Sequence, residues 1–260
     1  VDYSSYLIDL NNKTVTEIGT LGGRDTVLND VNDMGQVVRD SHTAAGFFHA
    51  FITGPDGVGM KDLGTPGNYY STAQSINNVG QVAGKVIGVG AFITGPDGVG
   101  MRYLSSDRES FAYGINAAGQ VVGNSNNTEH GYITGPNGVG IRDLGALPGD
   151  DISYARAIND GGQVVGGSRP VGGDDRVFIT GPNGIGLRDL GFSPGAAWAS
   201  GINNAGQVIG YFNTEEGTQH AFITGPEGVG ITDLGVLSGT EFSYARGINE
   251  AGQVVGGSYA

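Results

Sequence analysis

Cysteine is absent, tryptophan occurs once and methionine three times in 260 residues. The lack of cysteine removes disulfides, thiolate metal centres and cysteine nucleophiles together, so stability has to come from packing and strand pairing. No uninterrupted apolar run approaches the length of a membrane span, and no membrane insertion is expected. Charge is also scarce, at 15% of residues, and one-sided: 13 bases stand against 26 acids, a formal net charge of −13. The bases are dispersed, so a polyanion is repelled over most of the surface, which argues against nucleic acid as a partner. The start, Val1-Asp2-Tyr3, has no initiator Met, basic n-region or apolar h-region. Any secretion signal is therefore expected to have been cleaved or left out. Gly-x-Ser-x-Gly, His-Glu-x-x-His and phosphate-loop patterns are missing as well.

What the chain has is glycine, 50 residues of it, with 38% hydrophobic residues divided among short stretches. That mixture suits many short strands joined by tight turns. The motif Ile-Asn-x-x-Gly-Gln-Val recurs with its asparagine at Asn77, Asn116, Asn159, Asn203 and Asn249, after a degenerate copy at Val31–Val37. Counted from Asn32, the spacings are 45, 39, 43, 44 and 46 residues. A second motif, Phe/Tyr-Ile-Thr-Gly-Pro-x-Gly-Val/Ile-Gly, begins at Phe51, Phe92, Tyr132, Phe178 and Phe222 and alternates strictly with the first.

Each motif reads as a hairpin. In the first, the asparagine side chain bonds its own turn and the following glycine supplies a positive φ, with strands A and B on either side. In the second, Pro55, Pro96, Pro136, Pro182 or Pro226 presets φ for the first turn position, with strands C and D flanking. Four short strands in every period of this length predict a β-propeller blade. The chain opens on a C–D hairpin, Tyr6 to Gly19, and closes on an A–B hairpin, Ala245 to Gly257. Each is half a blade, and pairing the two predicts an all-β, six-bladed propeller of four-stranded antiparallel blades without exposed edges. The expected organisation is one domain over residues 1–260, with blades at about 25–64, 71–104, 110–145, 153–191 and 197–235 and a shared blade from 1–20 plus 243–260.

The C-strand triplets His49-Ala50-Phe51 and His220-Ala221-Phe222, relaxed to His130-Gly131-Tyr132, Gly90-Ala91-Phe92 and Arg176-Val177-Phe178 elsewhere, resemble the HAF-repeat proteins. The resemblance covers nearly the whole chain and fades in residues 1–40, where the C–D copy lacks Thr-Gly-Pro. It implies a bacterial, extracellular or cell-surface protein and assigns no activity.

In an A-B-C-D blade the two hairpin turns share one face and the B–C and D–A loops the other. The copies differ mainly in those loops, which marks that face as the place for individual chemistry. Acids gather there, among them Asp107, Glu109, Asp150, Asp151, Asp174, Asp175, Glu215, Glu216 and Glu241. Asp150, Asp151, Asp174 and Asp175 are the candidate ligands for a weakly bound Ca2+, because hard cations take clustered oxygens; the competing reading is solvated loop tips. No other cofactor is called for. Tyr113, Tyr154, Trp198 and Tyr244 enter strand A at nearly equivalent positions and are candidate sugar-stacking platforms, with packing between blades as the alternative. The four histidines, His42, His49, His130 and His220, are read as structural or surface residues.

Near-identical repeats work against the convergence of several different residues that a catalyst needs. The expectation is thus no enzyme but a non-catalytic extracellular scaffold or interaction module, with protein partners or copies of itself. A lectin-like propeller that binds glycans is the alternative, and a propeller hydrolase or lyase using acids near the axis ranks below both.

Overall fold

The computed structural model describes residues 5–67, 69–192 and 195–260. Asn68, Ser193 and Pro194, which the sequence assigns to D–A loops at 65–72 and 192–197, lie outside the described residues, as do residues 1–4. All described regular structure is β apart from five short 3-10 turns, and no described helix is long and apolar enough to cross a membrane. The chain divides into two compact units, Val1–Val121 with Thr134–Ile141, and Val122–Ile133 with Arg142–Ala260.

The first hairpin is β1 (Ser5–Asp9) and β2 (Thr14–Ile18). Four-stranded sheets follow in strict sequence order. They are β3 (Gly22–Val31), β4 (Val37–Thr43), β5 (Phe48–Thr53) and β6 (Met60–Asp62); then β7 (Ser71–Ile76), β8 (Val82–Val86), β9 (Gly90–Ile93) and β10 (Arg102–Tyr103). Next come β11 (Phe111–Ile115), β12 (Val121–Ser125), β13 (His130–Thr134) and β14 (Ile141–Gly145); β15 (Ile152–Ile158), β16 (Val164–Arg169), β17 (Arg176–Thr180) and β18 (Leu187–Asp189). The last four are β19 (Ala197–Ile202), β20 (Val208–Asn213), β21 (Gln219–Thr224) and β22 (Ile231–Gly235). A final hairpin, β23 (Phe242–Ile248) and β24 (Val254–Tyr259), closes the order.

These are five four-stranded blades, not the six expected. The sixth required β1–β2 to share a sheet with β23–β24. Among the described residues β1 pairs with β2 alone, and β23 joins its neighbour β21 through the parallel pair Gln219↔Phe242. Local turn chemistry fixes each hairpin, whereas joining the two ends demands a pairing of the highest sequence separation in the chain, which no local motif encodes.

The turns behave as their chemistry dictates. Asn77 Oδ1 accepts the Gln81 N–H at 3.0 Å, and Asn77 Nδ2 donates both to Gln81 Oε1 at 2.8 Å and to the Asn116 carbonyl of the next repeat at 3.0 Å. The same three bonds recur at Asn159, with Gln163 and the Asn203 carbonyl, and at Asn203, with Gln207 and the Asn249 carbonyl. Asparagine is thus both the clasp of its own turn and a rung to the following one. The threonine of Ile-Thr-Gly-Pro accepts the first B-strand amide: Thr53, Thr94, Thr134, Thr180 and Thr224 take the N–H of Val37, Val82, Val121, Val164 and Val208 at 2.8–2.9 Å.

In each Pro-x-Gly turn the middle residue, Asp56, Asp97, Asn137, Asn183 or Glu227, sits in the left-handed region at φ 50–54°, followed by a glycine also at positive φ. That pair turns the chain sharply enough to seat the glycine on the preceding repeat. A Cβ added to Gly98 would stand 2.6 Å from Leu63 and 2.8 Å from Ile52, so only glycine fits. Bases of strand D tie the same turn down: Lys61 Nζ reaches the Asp97 carbonyl at 3.1 Å, Arg102 the Asn137 carbonyl at 2.6 Å and Arg188 the Glu227 carbonyl at 2.5 Å. Gln36, Gln81 and Gln163 donate to the side chains of Asp97, Asn137 and Glu227 from the other side. The apolar filling lies between blades, as with Val38, Ile52, Leu63, Ala73, Val82 and Phe92 in the first unit and Val165, Ile179, Leu190, Ala199, Val208 and Phe222 in the second.

If the asparagine clasp joins repeats in this way, its loss should cost most inside the array. Asn77→Ala leaves the Gln81 amide without its partner in a buried setting and takes from the Asn116 carbonyl one of its two donors, the other being the Gly119 N–H; about 2 kcal/mol of stability is expected to go. Asn249, in the last repeat, is exposed, so Asn249→Ala should cost under about 1 kcal/mol. Urea denaturation of the two variants beside the parent chain measures the difference, and equal losses would refute the ladder as a cooperative element.

Candidate functional site

The end of each sheet opposite the hairpin turns carries the residues that differ between blades, and in the second unit they form a defined cluster. Strand A enters it from the D–A loop. A serine early in this strand, Ser71, Ser110, Ser153 or Ser243, accepts a C-strand amide from Ala50, Ala91, Gly131 or Ala221 at 2.8–2.9 Å, which fixes the strand against its neighbour. The following residue is Tyr154 on β15 and Tyr244 on β23, with Trp198 in the matching place on β19. Ladder register puts Tyr154 opposite Gly167, Trp198 opposite Tyr211 and Tyr244 opposite Gly257. Tyr154 and Tyr244 lie across those glycines: a Cβ on Gly167 would fall 2.3 Å from the Tyr154 ring, and one on Gly257 would fall 2.7 Å from the Tyr244 hydroxyl.

Tyr113 does not belong to this set. The serine anchor at Ser110 makes Phe111 the equivalent of Tyr154, and Tyr113, two residues on, matches Arg156, where the A–B ladder shifts register between Ala155 and Ala157. The two rings stack at 5.8 Å and 8°, and Lys85 Nζ lies 3.4 Å from the Phe111 centroid, a cation–π contact that commits this ring to packing.

In the β19–β20 hairpin the glycine is replaced, and the arrangement changes. Trp198 and Tyr211 stack with centroids 5.1 Å apart and 29° between planes. The indole N–H donates to Asp175 Oδ2 at 2.8 Å, and Arg169 Nη1 lies 3.9 Å from that oxygen. Asp175 is buried, yet its Oδ1 has no hydrogen-bond partner among the described residues. Burial raises the Tyr154 phenol above its ordinary range and the Asp175 charge pushes it further; burial also raises Tyr211. The cluster therefore holds one carboxylate and two neutral phenols beside a half-buried indole.

The four aspartates singled out as a cation site are not brought together as one. Asp150 accepts from the Ser168 hydroxyl at 2.7 Å and pairs with Arg176 at 2.8 Å, a guanidinium that also reaches Asp189 at 3.1 Å. That pairing raises the Arg176 pKa. Asp151 accepts the Val171 amide at 3.1 Å, and Asp175 serves Trp198. Among the described residues no three His, Asp or Glu side chains are grouped to hold a metal ion. The histidines of three C strands each face an aspartate on strand D of the same blade: His49 with Asp62 at 2.7 Å, His130 with Asp143 at 3.1 Å and His220 with Asp233 at 2.9 Å.

On the β20–β21 hairpin a second feature adjoins the first: a cleft of about 430 Å³ lined by Phe192, Phe212, Asn213, Glu215, His220 and Asp233, among others. Phe212 lies 5.7 Å from Phe192 and 6.1 Å, edge-on, from His220. Neither Tyr211 nor Phe212 was singled out from sequence. The signal was present all the same: Gln-Val-Val-Gly-Gly at 163–167 and 253–257 becomes Gln-Val-Ile-Gly-Tyr-Phe at 207–212, an aromatic pair at a place where the other copies have Asp40, Lys85, Asn124, Gly167 and Gly257.

No family model matches the chain, and no curated protein sequence matches it. Solved structures do. A TolB protein of Agrobacterium tumefaciens is similar with a TM-score of 0.55 at 12% identity, over 89% of this chain and 88% of that one. An oligogalacturonate lyase in complex with manganese is similar with a TM-score of 0.57 at 8% identity, over 96% and 76%. A puromycin hydrolase gives 0.53 at 13% identity, over 86% of this chain and 40% of that one. At these identities the likeness concerns the fold alone, an all-β propeller type with four-stranded antiparallel blades.

The raised Tyr154 pKa has a signed consequence. The folded state keeps the phenol neutral while the unfolded chain ionises it near its ordinary value of about 10. Stability is therefore full below about pH 10 and falls as pH rises above it. Thermal melts between about pH 8 and 12 should show the Tyr154-linked part of the midpoint level up to about pH 10 and dropping above it, with a smaller drop in Tyr154→Phe. An identical drop in the variant would show that Tyr154 is not the group responsible.

Proposed function

We propose that this chain is a non-catalytic extracellular repeat scaffold, an interaction module that presents its B–C and D–A loops to protein partners. One observation carries the reading. The polar residues common to the repeats, the turn asparagines and glutamines, the C-strand threonines and the strand-D bases, are spent on bonds that hold turns and join neighbouring repeats. The residues peculiar to single blades, Trp198, Tyr211, Asp175, Phe212 and Glu215, collect at the opposite end. A frame whose constant residues serve assembly and whose variable ones face outward is built for recognition. The extracellular setting is what the resemblance to HAF-repeat proteins implies.

A second reading, carbohydrate binding, is favoured by the Trp198–Tyr211 stack beside a buried carboxylate, since sugars pack on aromatic faces and bond to acids. On a glycan array any retained sugar should lose about tenfold in affinity with Trp198→Ala, read at a temperature where thermal melts show the variant still folded. An unaltered affinity would remove this reading.

Because the parent has no cysteine, single cysteines carrying a photo-cross-linker test the first reading directly. Val171, in the Ser168–Asp175 loop, and Val139, in a Pro-x-Gly-Val turn, are both well exposed. Partner adducts should form from Val171→Cys and not from Val139→Cys; the reverse pattern would overturn the assignment of the binding end.

A further inference from the structure

In three repeats one serine ties the loop ahead of strand A to strand B. Ser41 on β4, Ser168 on β16 and Ser258 on β24 take the amide of a loop leucine, Leu21, Leu147 or Leu237, at 3.0–3.3 Å. The same place on β20 holds Phe212. It has no hydroxyl with which to hold the loop, and its ring lies instead 5.7 Å from that of Phe192 in the loop ahead of β19, the planes 39° apart. Beside these two rings and His220, which meets Phe212 edge-on, opens the cleft of about 430 Å³ in the second unit.

The rest of the wall is acidic. Glu215 and Glu216, at the tip of the β20–β21 hairpin, line the cleft together with Asp233 of β22. Asp233 is engaged by His220 at 2.9 Å and by the Gly235 N–H at 2.7 Å. Glu215 and Glu216 are exposed, and among the described residues their carboxylates have no ion-pair or hydrogen-bond partner. No lysine or arginine is among the described residues of the lining. Negative charge therefore stands unneutralised next to a pair of aromatic rings.

Each part narrows the ligand. The faces of phenylalanine rings attract cations, and the free carboxylates demand one. A hard metal ion is poorly served, because it needs converging oxygens and no three His, Asp or Glu side chains among the described residues are so grouped. A guanidinium suits both walls: it is planar and weakly hydrated, so it lies on a ring face while its N–H edges meet carboxylates, whereas a lysine ammonium is a compact, strongly hydrated charge. The cleft has the volume of a ligand pocket, and it accommodates such a side chain together with its flanking peptide.

We propose that this cleft receives an arginine side chain of a protein partner, stacked on Phe192 and Phe212 and paired with Glu215 and Glu216. The proposal rests on the interaction-module reading and deepens it by naming the chemistry of the partner segment.

The probe is the peptide N-acetyl-Gly-Arg-Gly amide, compared by isothermal titration with its citrulline counterpart, which keeps the planar shape and loses the charge. The parent chain should hold the arginine peptide at least about tenfold more tightly than the citrulline one. Phe212→Ser, which brings in the serine found at this place in other repeats, should weaken arginine binding about tenfold, and so should Glu215→Gln with Glu216→Gln. Glu129→Gln with Asp174→Asn removes the same charge from exposed residues outside the lining, and this control should bind as the parent does. Should Phe212→Ser melt early, the exposed glutamate pair carries the test. Equal affinity for the two peptides, an equal loss in the control pair, undiminished binding by the glutamate variant, or no binding at millimolar peptide would each overturn the proposal. Partner adducts from Val171→Cys without peptide binding would sink the cleft alone; peptide binding without adducts would sink only the loop assignment.

Discussion

The structure depends on one short interaction, the clasp between an asparagine and the glutamine four residues later. Its geometry needs both ends of the asparagine amide: the oxygen takes the glutamine N–H and the nitrogen gives to the glutamine side chain. Because the same nitrogen also reaches the backbone of the next turn, a bond that shapes one hairpin simultaneously sets the distance to its neighbour. Local and long-range order are thus written in the same residue, which is how a repeat protein obtains cooperativity from nearest-neighbour terms.

Glycine abundance follows from that joint. The Pro-x-Gly turn plugs into the preceding repeat, where Gly98 approaches Ile52 and Leu63 more closely than any side chain allows. The strand-D bases reach the carbonyl of the left-handed residue ahead of that glycine. A high glycine content would ordinarily weaken a fold by the entropy lost on ordering the chain. Here it permits contacts made several times over, and the cost is spread across interfaces that each bury valine, isoleucine and phenylalanine.

That division explains what could be read from the sequence. Hairpin turns, strand order and the roles of Asn77, Asn159 and Pro96 were legible because turn chemistry is local and repeated. The blade total was not, since it hinges on how Tyr6–Gly19 and Ala245–Gly257 pair, and their motifs specify hairpins without specifying neighbours. Tyr113 was misassigned by counting aromatics; anchoring the alignment on Ser110 places Phe111 instead. Asp150 looked like a free ligand because acid spacing is visible in sequence and the Arg176 that captures it, 26 residues away, is not. Tyr211 stands at a place that holds Asp40, Lys85, Asn124, Gly167 and Gly257 in the other copies, and a position that varies inside a repeat is a better pointer to individual function than any residue type taken alone.

An array of this kind has to do something with its ends. Interior B strands are protected because each lies between the A and C strands of its own sheet, which the first and last hairpins, with two strands of a blade each, do not provide for themselves. Natural sheets usually blunt such edges with charge, proline or a covering segment. Neither β1 nor β24 carries proline, and the exposed places at Tyr6, Ile8 and Val255 are apolar. Apolar residues at the free places of an end hairpin suit the pairing of strands, where charge would oppose it.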